Sequence, residues 1–306
     1  MTGQNSAIVP AREAIPGARR SASTRAGTIS ALLGVASFSL STPATVWATQ
    51  GMGPWTATGA RGLLAGLLAI ALLAGLKVPL PRRADLPGLL VVAGGCVIGF
   101  PLLTALALQT ATTAHSAIVI GLLPIATASA SALLTRRTLS YRFWCAATAG
   151  AAAVVAFTLT QHHGAITIAD LYLLAALIVC ALGYAEGGRL AGHLPGWHVI
   201  AWAVVLALPI SLAITLIAVP HEPVDLTPLS LLGLAYIAGI SQLGGFVVWY
   251  RGMGIIGVAR ASQLQLAQPS LNLVWSALLM GEHLALAAPI TAVVVLLCIV
   301  VTQRAR

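Results

Sequence analysis

Ten apolar stretches, each long enough to cross a lipid bilayer, occupy the chain almost from end to end, and two of them carry a proline near mid-span, Pro124 and Pro269. About 20 consecutive apolar residues make a membrane-crossing helix. The stretches fall at 27–48, 58–76, 88–108, 115–134, 143–160, 169–188, 197–219, 228–249, 255–279 and 286–303, with short connections. Soluble domains carry about a quarter charged residues. Here 58% of residues are hydrophobic, 8% are charged and the mean hydropathy is +0.95. The expected fold is therefore an all-α membrane protein of ten transmembrane helices, in contact with the lipid bilayer.

The basic residues orient that bundle, because Lys and Arg stay on the cytoplasmic side of short loops. With the N-terminus inside, the cytoplasmic segments hold Arg12, Arg19, Arg20, Arg25, Lys77, Arg82, Arg83, Arg136, Arg137, Arg142, Arg189, Arg251, Arg260, Arg304 and Arg306, all but one of the 16 basic residues. Only Arg61 falls elsewhere. Both termini are then cytoplasmic, while Asp170, Glu222, Asp225 and Glu282 lie at outer ends. Topology and anionic lipid account for the pI of about 10.3, so no nucleic-acid partner is expected.

Residues 1–26, rich in Ser, Ala and Arg with prolines at 10 and 16, read as a disordered cytoplasmic tail. A competing reading is a cleaved export signal: Arg19 and Arg20, an apolar run from Ile29 to Leu40, and a small-residue site around Val46, Trp47 and Ala48. The apolar run exceeds a signal's usual core length, and cleavage would leave nine spans. Cys96, Cys145, Cys180 and Cys298 sit singly in four spans without CxxC spacing, which points to packing and to neither a disulfide nor a metal. The His162–His163 pair falls in an outer loop, and no cofactor is implied.

Proline inside a helix leaves the carbonyl four residues back without its donor, and lipid supplies none, so protein or a polar cavity must satisfy it. Pro124 does this to Ile120, with Thr127 and Ser131 further along. Pro269 does it to Gln265, and Pro43 on the first span to Ser39, close to Thr42 and Trp47. On the ninth span Gln265, Gln268, Asn272 and Trp275 follow spacings of 3, 4 and 3, which places them on one face. Gln242, Gly245 and Trp249 share a face on the eighth and form a candidate opposite wall, with Tyr184 of the sixth as an aromatic one. Such amides either line a cavity or hold helices together. A stripe of them beside a backbone break favours the cavity.

The chain also repeats itself. Moving residues 105–140 forward by 145 places Pro124 on Pro269, Ala114 on Ala259, Leu133 and Leu134 on Leu278 and Leu279, and Leu139 on Leu284. Five spans per half is an odd number, so the second copy enters the membrane inverted relative to the first. The halves are 27–160 and 161–306.

The segment Trp249-Tyr250-Arg251-Gly252-Met253, through Ala259, Arg260, Ala261 and Ser262 to Gln268-Pro269, and closing with Leu278-Leu279-Met280-Gly281-Glu282, resembles the second repeat of the EamA-type ten-helix exporters in the drug/metabolite transporter superfamily. Leu106 to Pro124 resembles the same stretch of the first repeat, and Arg61 the arginine that opens the second helix. One departure is Arg136-Arg137, which stands where the first repeat commonly has Gly-Glu and leaves that glutamate's structural job to Glu282.

The expected function is export of small metabolites, amino acids or amphipathic drug-like compounds, by alternating access at the cell's inner or plasma membrane, for which a monomer suffices. Candidate coupling or charge contacts are few: Glu186 with Arg189 one turn on, His115 at the outer start of the fourth span, and Arg260 near the inner end of the ninth. A passive channel or lipid scrambler would share these cues. An intramembrane enzyme is disfavoured, because no aspartate lies deep in a span and HExxH and GxSxG are missing from the sequence. Small residues, Gly62, Gly66 and Ala69 on the second span and Ala146, Ala149, Gly150 and Ala153 on the fifth, provide close-packing seams.

Overall fold

Backbone amides in hydrocarbon have no water to bond, so a chain this apolar must satisfy them within helices. The computed structural model describes residues 16–136, 138, 140–161, 166–256, 261, 264–265, 267–284 and 286–304, with backbone alone at 16–23, 158–161, 299 and 302–304. Among them every extended element is helical, and the single β-type contact is the Met52–Val224 bridge.

The helices are α1 (Thr24–Gly51), α2 (Pro54–Gly75), α3 (Arg83–Ala107), α4 (Thr113–Thr135), α5 (Tyr141–Gln161), α6 (Ile168–Leu190), α7 (Gly196–Ala218), α8 (Pro228–Ile256), α9 (Ala267–Met280) and α10 (Ala287–Arg304). Seven of these, α1–α4 and α6–α8, are long and apolar enough to cross a bilayer. The apolar parts of α5 and α10 are shorter, Tyr141–Phe157 and Ala287–Cys298. Helix is already present at Pro16, earlier than the boundary drawn from composition at 26. Of the expected ninth stretch, 255–279, α8 takes in Ile255 and Ile256 and α9 runs from Ala267, with Gln265 in a turn before it; 257–260, 262–263 and 266 lie outside the described residues.

Helix pairing is unchanged when the two halves are exchanged. α2 lies along α7, α5 along α10, and α4 meets α9. α1 packs on α8 as α6 packs on α3, and the α4–α6 contact has its counterpart in α9–α1. The outer surface carries Leu64, Leu67 and Leu68 of α2 and Ile210, Leu216 and Ile217 of α7, all exposed, whereas Arg61, Gln242, Gln265, Gln268 and Asn272 are buried. Apolar side chains outside and amides inside is the reverse of a soluble protein.

Two helices contain a π-helical stretch at equivalent places, Ala93–Gly99 in α3 and Tyr236–Gly245 in α8. The offset of 145 superposes Gly94 on Gly239 and Gly99 on Gly244, so each half has a glycine pair five residues apart inside its widened turn. Single π turns mark functional sites more often than ordinary helix does. α1 is interrupted at Leu40, three residues before Pro43, and α4 at Gly121 and Leu122, directly before Pro124.

The helix starts at one face of the bundle are capped by side chains. Thr167 and Asp170 form a capping box on α6, and Thr227 accepts from the Ser230 amide at the start of α8. α2 and α4 use acids from the other half. Glu222 accepts from the amides of Trp55 (3.2 Å) and Thr56 (2.7 Å), and Glu282 from those of Thr113 (2.8 Å) and Ala114 (3.0 Å). The job left to Glu282 is thus the N-terminus of the proline-broken helix α4.

The far ends of α4 and α9 also correspond. Arg136 closes α4 at φ 52°, ψ 32°, in the left-handed region, and Gly281, its counterpart at +145, has φ 65°. A side chain in that conformation costs about 1 kcal/mol that glycine avoids, part of which glycine gives back through its freer unfolded chain. Arg136→Gly is expected to raise the thermal midpoint in detergent by roughly 1–3 °C. A lowered midpoint in a melting scan would contradict the reading.

Candidate functional site

A cavity lies where the interrupted and π-helical segments meet. α1 contributes Phe38, Ser41, Thr42 and Thr45, residues at helical spacing on one face that straddle the break at Leu40. α2 contributes Arg61, α3 Thr104, α6 Tyr184, α8 Ser241 and Phe246, and α9 Gln268 and Asn272. The free space is narrow, about 40 Å³, enough for a few waters. A metabolite therefore requires the walls to separate.

Several polar atoms of the lining residues have no partner among the described residues: Arg61 Nε, Thr104 Oγ1, Gln268 Oε1 and Asn272 Oδ1. Burying such atoms without bonds is unfavourable, so the site is built to be filled by water or by a passenger. The bonds that do form tie the two halves together. Ser41 and Ser241 share a hydroxyl contact, Arg61 reaches Ser241 Oγ at 3.5 Å, and Gln242 Nε2 donates to the Cys96 carbonyl at 3.4 Å, joining the two π stretches.

A second, smaller cavity adjoins the first through Ile120, Leu123, Gln268 and Asn272, which line both, and it is closed by Pro124, Gln265 and Pro269. The two mid-span prolines therefore sit at one place. Gly121 lies so near Pro269 that an added Cβ would come within 3.2 Å of the ring, so a bare backbone is needed there. The carbonyl of Gln265 is engaged in a tight turn by the Gln268 amide at 3.0 Å. Ile120, whose carbonyl loses its usual donor to Pro124, faces both cavities.

Other expected residues stand apart from the cavity walls. Trp275 Nε1 donates to Ser39 Oγ at 3.0 Å, fastening α9 to the break in α1. Thr127 is buried further along α4, with its hydroxyl unpaired. Pro43 is buried, and Trp47 packs where Gly233 of α8 passes α1. Trp249 is buried beside Phe38 and Tyr184, ring centroids 6.1 and 6.3 Å away, in an aromatic cluster with Phe246. Gln242 does not line the cavity; Ser241 does. The extra residue in the π turn displaces the eighth-helix face that 3.6-residue spacing predicts.

Of the charged candidates, Glu186 accepts from Arg189 Nε at 2.7 Å on a partly exposed surface, and His115 Nε2 meets Asp170 Oδ1 at 2.7 Å where α4 and α6 begin. Arg260 lies outside the described residues, as do His162, His163, Arg137, Leu139 and Ala259. Sequence reasoning did not assign Arg61, Thr45, Thr104 or Ser241 to the site. Arg61 had a signal, as the one basic residue off the cytoplasmic loops.

A lipid-type exterior around a polar, closed-down interior defines a multi-pass α-helical membrane protein. The model of the EamA-like transporter family matches it twice, at residues 25–159 and 167–303, and the chain belongs to that family. It is 42% identical over 281 residues to a Bacillus subtilis (strain 168) protein called "Uncharacterized transporter YdeK", covering 92% of this chain and 98% of that one. A solved crystal structure, 21% identical, superposes with a TM-score of 0.61 over 92% of this chain and 96% of its own, a likeness of fold.

Proposed function

We propose that the protein is a carrier in a bacterial inner or plasma membrane that exports small metabolites, amino acids or amphipathic drug-like compounds, by alternating access. Ten crossings form two inverted five-helix repeats, 27–160 and 161–306, with both termini cytoplasmic. The observation that carries the reading is a cavity at the seam of the halves, lined by residues with buried polar atoms that have no partner among the described residues. The exchangeable helix pairing, the matching π stretches and the family's two matched segments support the repeat.

Rocking of one half against the other needs a seam held by few, replaceable bonds. Among the described residues, the cross-half hydrogen bonds at the cavity are of that kind: two hydroxyls, one long guanidinium contact and one long amide bond. Lys77, Arg82, Arg83, Arg136, Arg142, Arg189 and Arg251 all fall at the face where α2 and α4 end, which supports assigning that face to the cytoplasm.

The test is counterflow with purified protein in liposomes preloaded with unlabelled solute. Saturable accumulation of labelled amino acids or organic cations is expected. Linear, unsaturable flux would identify a channel or scrambler and defeat the carrier reading. An imposed pH gradient that leaves the rate unchanged marks the carrier as uncoupled from protons.

A further inference from the structure

We propose that Arg61 is the recognition residue for a carboxylate on the passenger, which makes small carboxylate-bearing metabolites the substrate class and excludes organic cations that lack an anionic group. The inference rests on the carrier reading and narrows it.

Arg61 sits two turns into α2 and is only 6% exposed. Its guanidinium is always charged and offers five donors in a planar fork suited to a carboxylate. The protein satisfies little of that capacity. One terminal nitrogen reaches Ser241 Oγ at 3.5 Å, the limit of a hydrogen bond, and Nε has no partner among the described residues.

No acid among the described residues supplies the missing counter-charge. Of the seven acidic residues, six are described. Asp85 pairs with His193 and Asp170 with His115, Glu186 with Arg189, while Glu222 and Glu282 cap helices, and Asp225 is exposed. A buried, unneutralised cation in a membrane bundle is strongly unfavourable and persists where function needs it. Here it faces a cavity, so the anion comes with the passenger. Across that cavity, Gln268 and Asn272 hold unpaired amide oxygens, suited to the ammonium or hydroxyl beside a carboxylate, and Phe38 and Tyr184 offer apolar surface to the remainder. A cation entering would meet the guanidinium's charge in a cavity with room for only a few screening waters.

The experiment uses the wild-type protein in liposomes with labelled L-leucine, L-phenylalanine and tetraphenylphosphonium, and unlabelled amino acids against their carboxamides as competitors. Saturable counterflow of the amino acids is expected, with at least tenfold weaker competition by the amides, while tetraphenylphosphonium, which crosses lipid unaided, should move no faster than in protein-free liposomes and without saturation. Arg61→Gln should abolish the preference for acid over amide, and Arg61→Lys should keep part of it. Saturable counterflow of tetraphenylphosphonium, equal competition by the amides, or an unaltered preference in Arg61→Gln overturns the assignment while leaving a carrier. If no probe shows saturable counterflow, the carrier reading falls and this one with it. Should Arg61→Gln fail to elute as a folded species, the wild-type competition series decides alone.

Discussion

Gln268→Leu is expected to lower saturable counterflow at least tenfold while leaving the thermal midpoint unchanged or raised. Flux and stability part company because of where the side chain lies. Gln268 is buried, borders both cavities and has an amide oxygen with no protein partner. An unsatisfied buried acceptor costs about 1–3 kcal/mol, and an apolar side chain of similar size removes that cost. A residue that holds helices together behaves otherwise, since losing its bonds lowers stability first. Trp275 is the internal contrast. Its indole donates to Ser39 Oγ, so Trp275→Phe gives up about 1 kcal/mol of an existing bond. Loss of stability in Gln268→Leu with flux intact would assign the ninth-helix amides to helix adhesion and remove them from the pathway.

The spacing of Gln268, Asn272 and Trp275 is readable because an ordinary α-helix repeats every 3.6 residues and α9, which carries them, is such a helix, whereas Gln265 stands ahead of it in a turn. The same rule misassigned Gln242, because a π turn adds a residue and rotates every later side chain about the helix axis. Composition does not separate π from α, although Gly94 with Gly99 and Gly239 with Gly244 mark both places in retrospect. Pro124 and Pro269 were legible as a pair through the 145-residue offset, and they do close one cavity. The caps divide the same way. Thr167 and Asp170 are three residues apart, a local pattern that sequence carries, whereas Glu222 and Glu282 act on helices 166 to 169 residues away. Arg61 stood out by violating the charge rule, but only the burial of its surroundings and the occupation of the described acids give that exception a chemical meaning.

Glu282→Ala should lower the thermal midpoint in detergent by roughly 3–5 °C, the largest stability loss expected of any single loop substitution here. The carboxylate sits just past Gly281, whose left-handed φ of 65° turns the chain back toward α4. It receives the Thr113 and Ala114 amides and the Thr113 hydroxyl at 2.7 Å, while Thr112 covers the His115 amide. The first three amides of α4 are thereby all bonded, with a negative charge at the positive end of the helix dipole. Charge-assisted bonds contribute about 1.5–3 kcal/mol each at most, and with water replacing part of the loss the net cost is about 2–3 kcal/mol. Glu282→Gln keeps one acceptor oxygen and should lose about half as much. Thr113 shares the carboxylate, and its hydroxyl oxygen also lies 2.7 Å from Ser276 Oγ, so Thr113→Val and Glu282→Ala should combine to less than their sum. Because Pro124 already breaks α4 in its middle, its first segment, Thr113–Ile120, is only 8 residues long and depends on this end for its shape. Counterflow in Glu282→Ala should therefore fall even at temperatures where the protein stays folded. Additive losses in the double variant, or a midpoint shifted by less than about 1 °C, would show that the cap seen between the two halves contributes nothing to holding α4 in place.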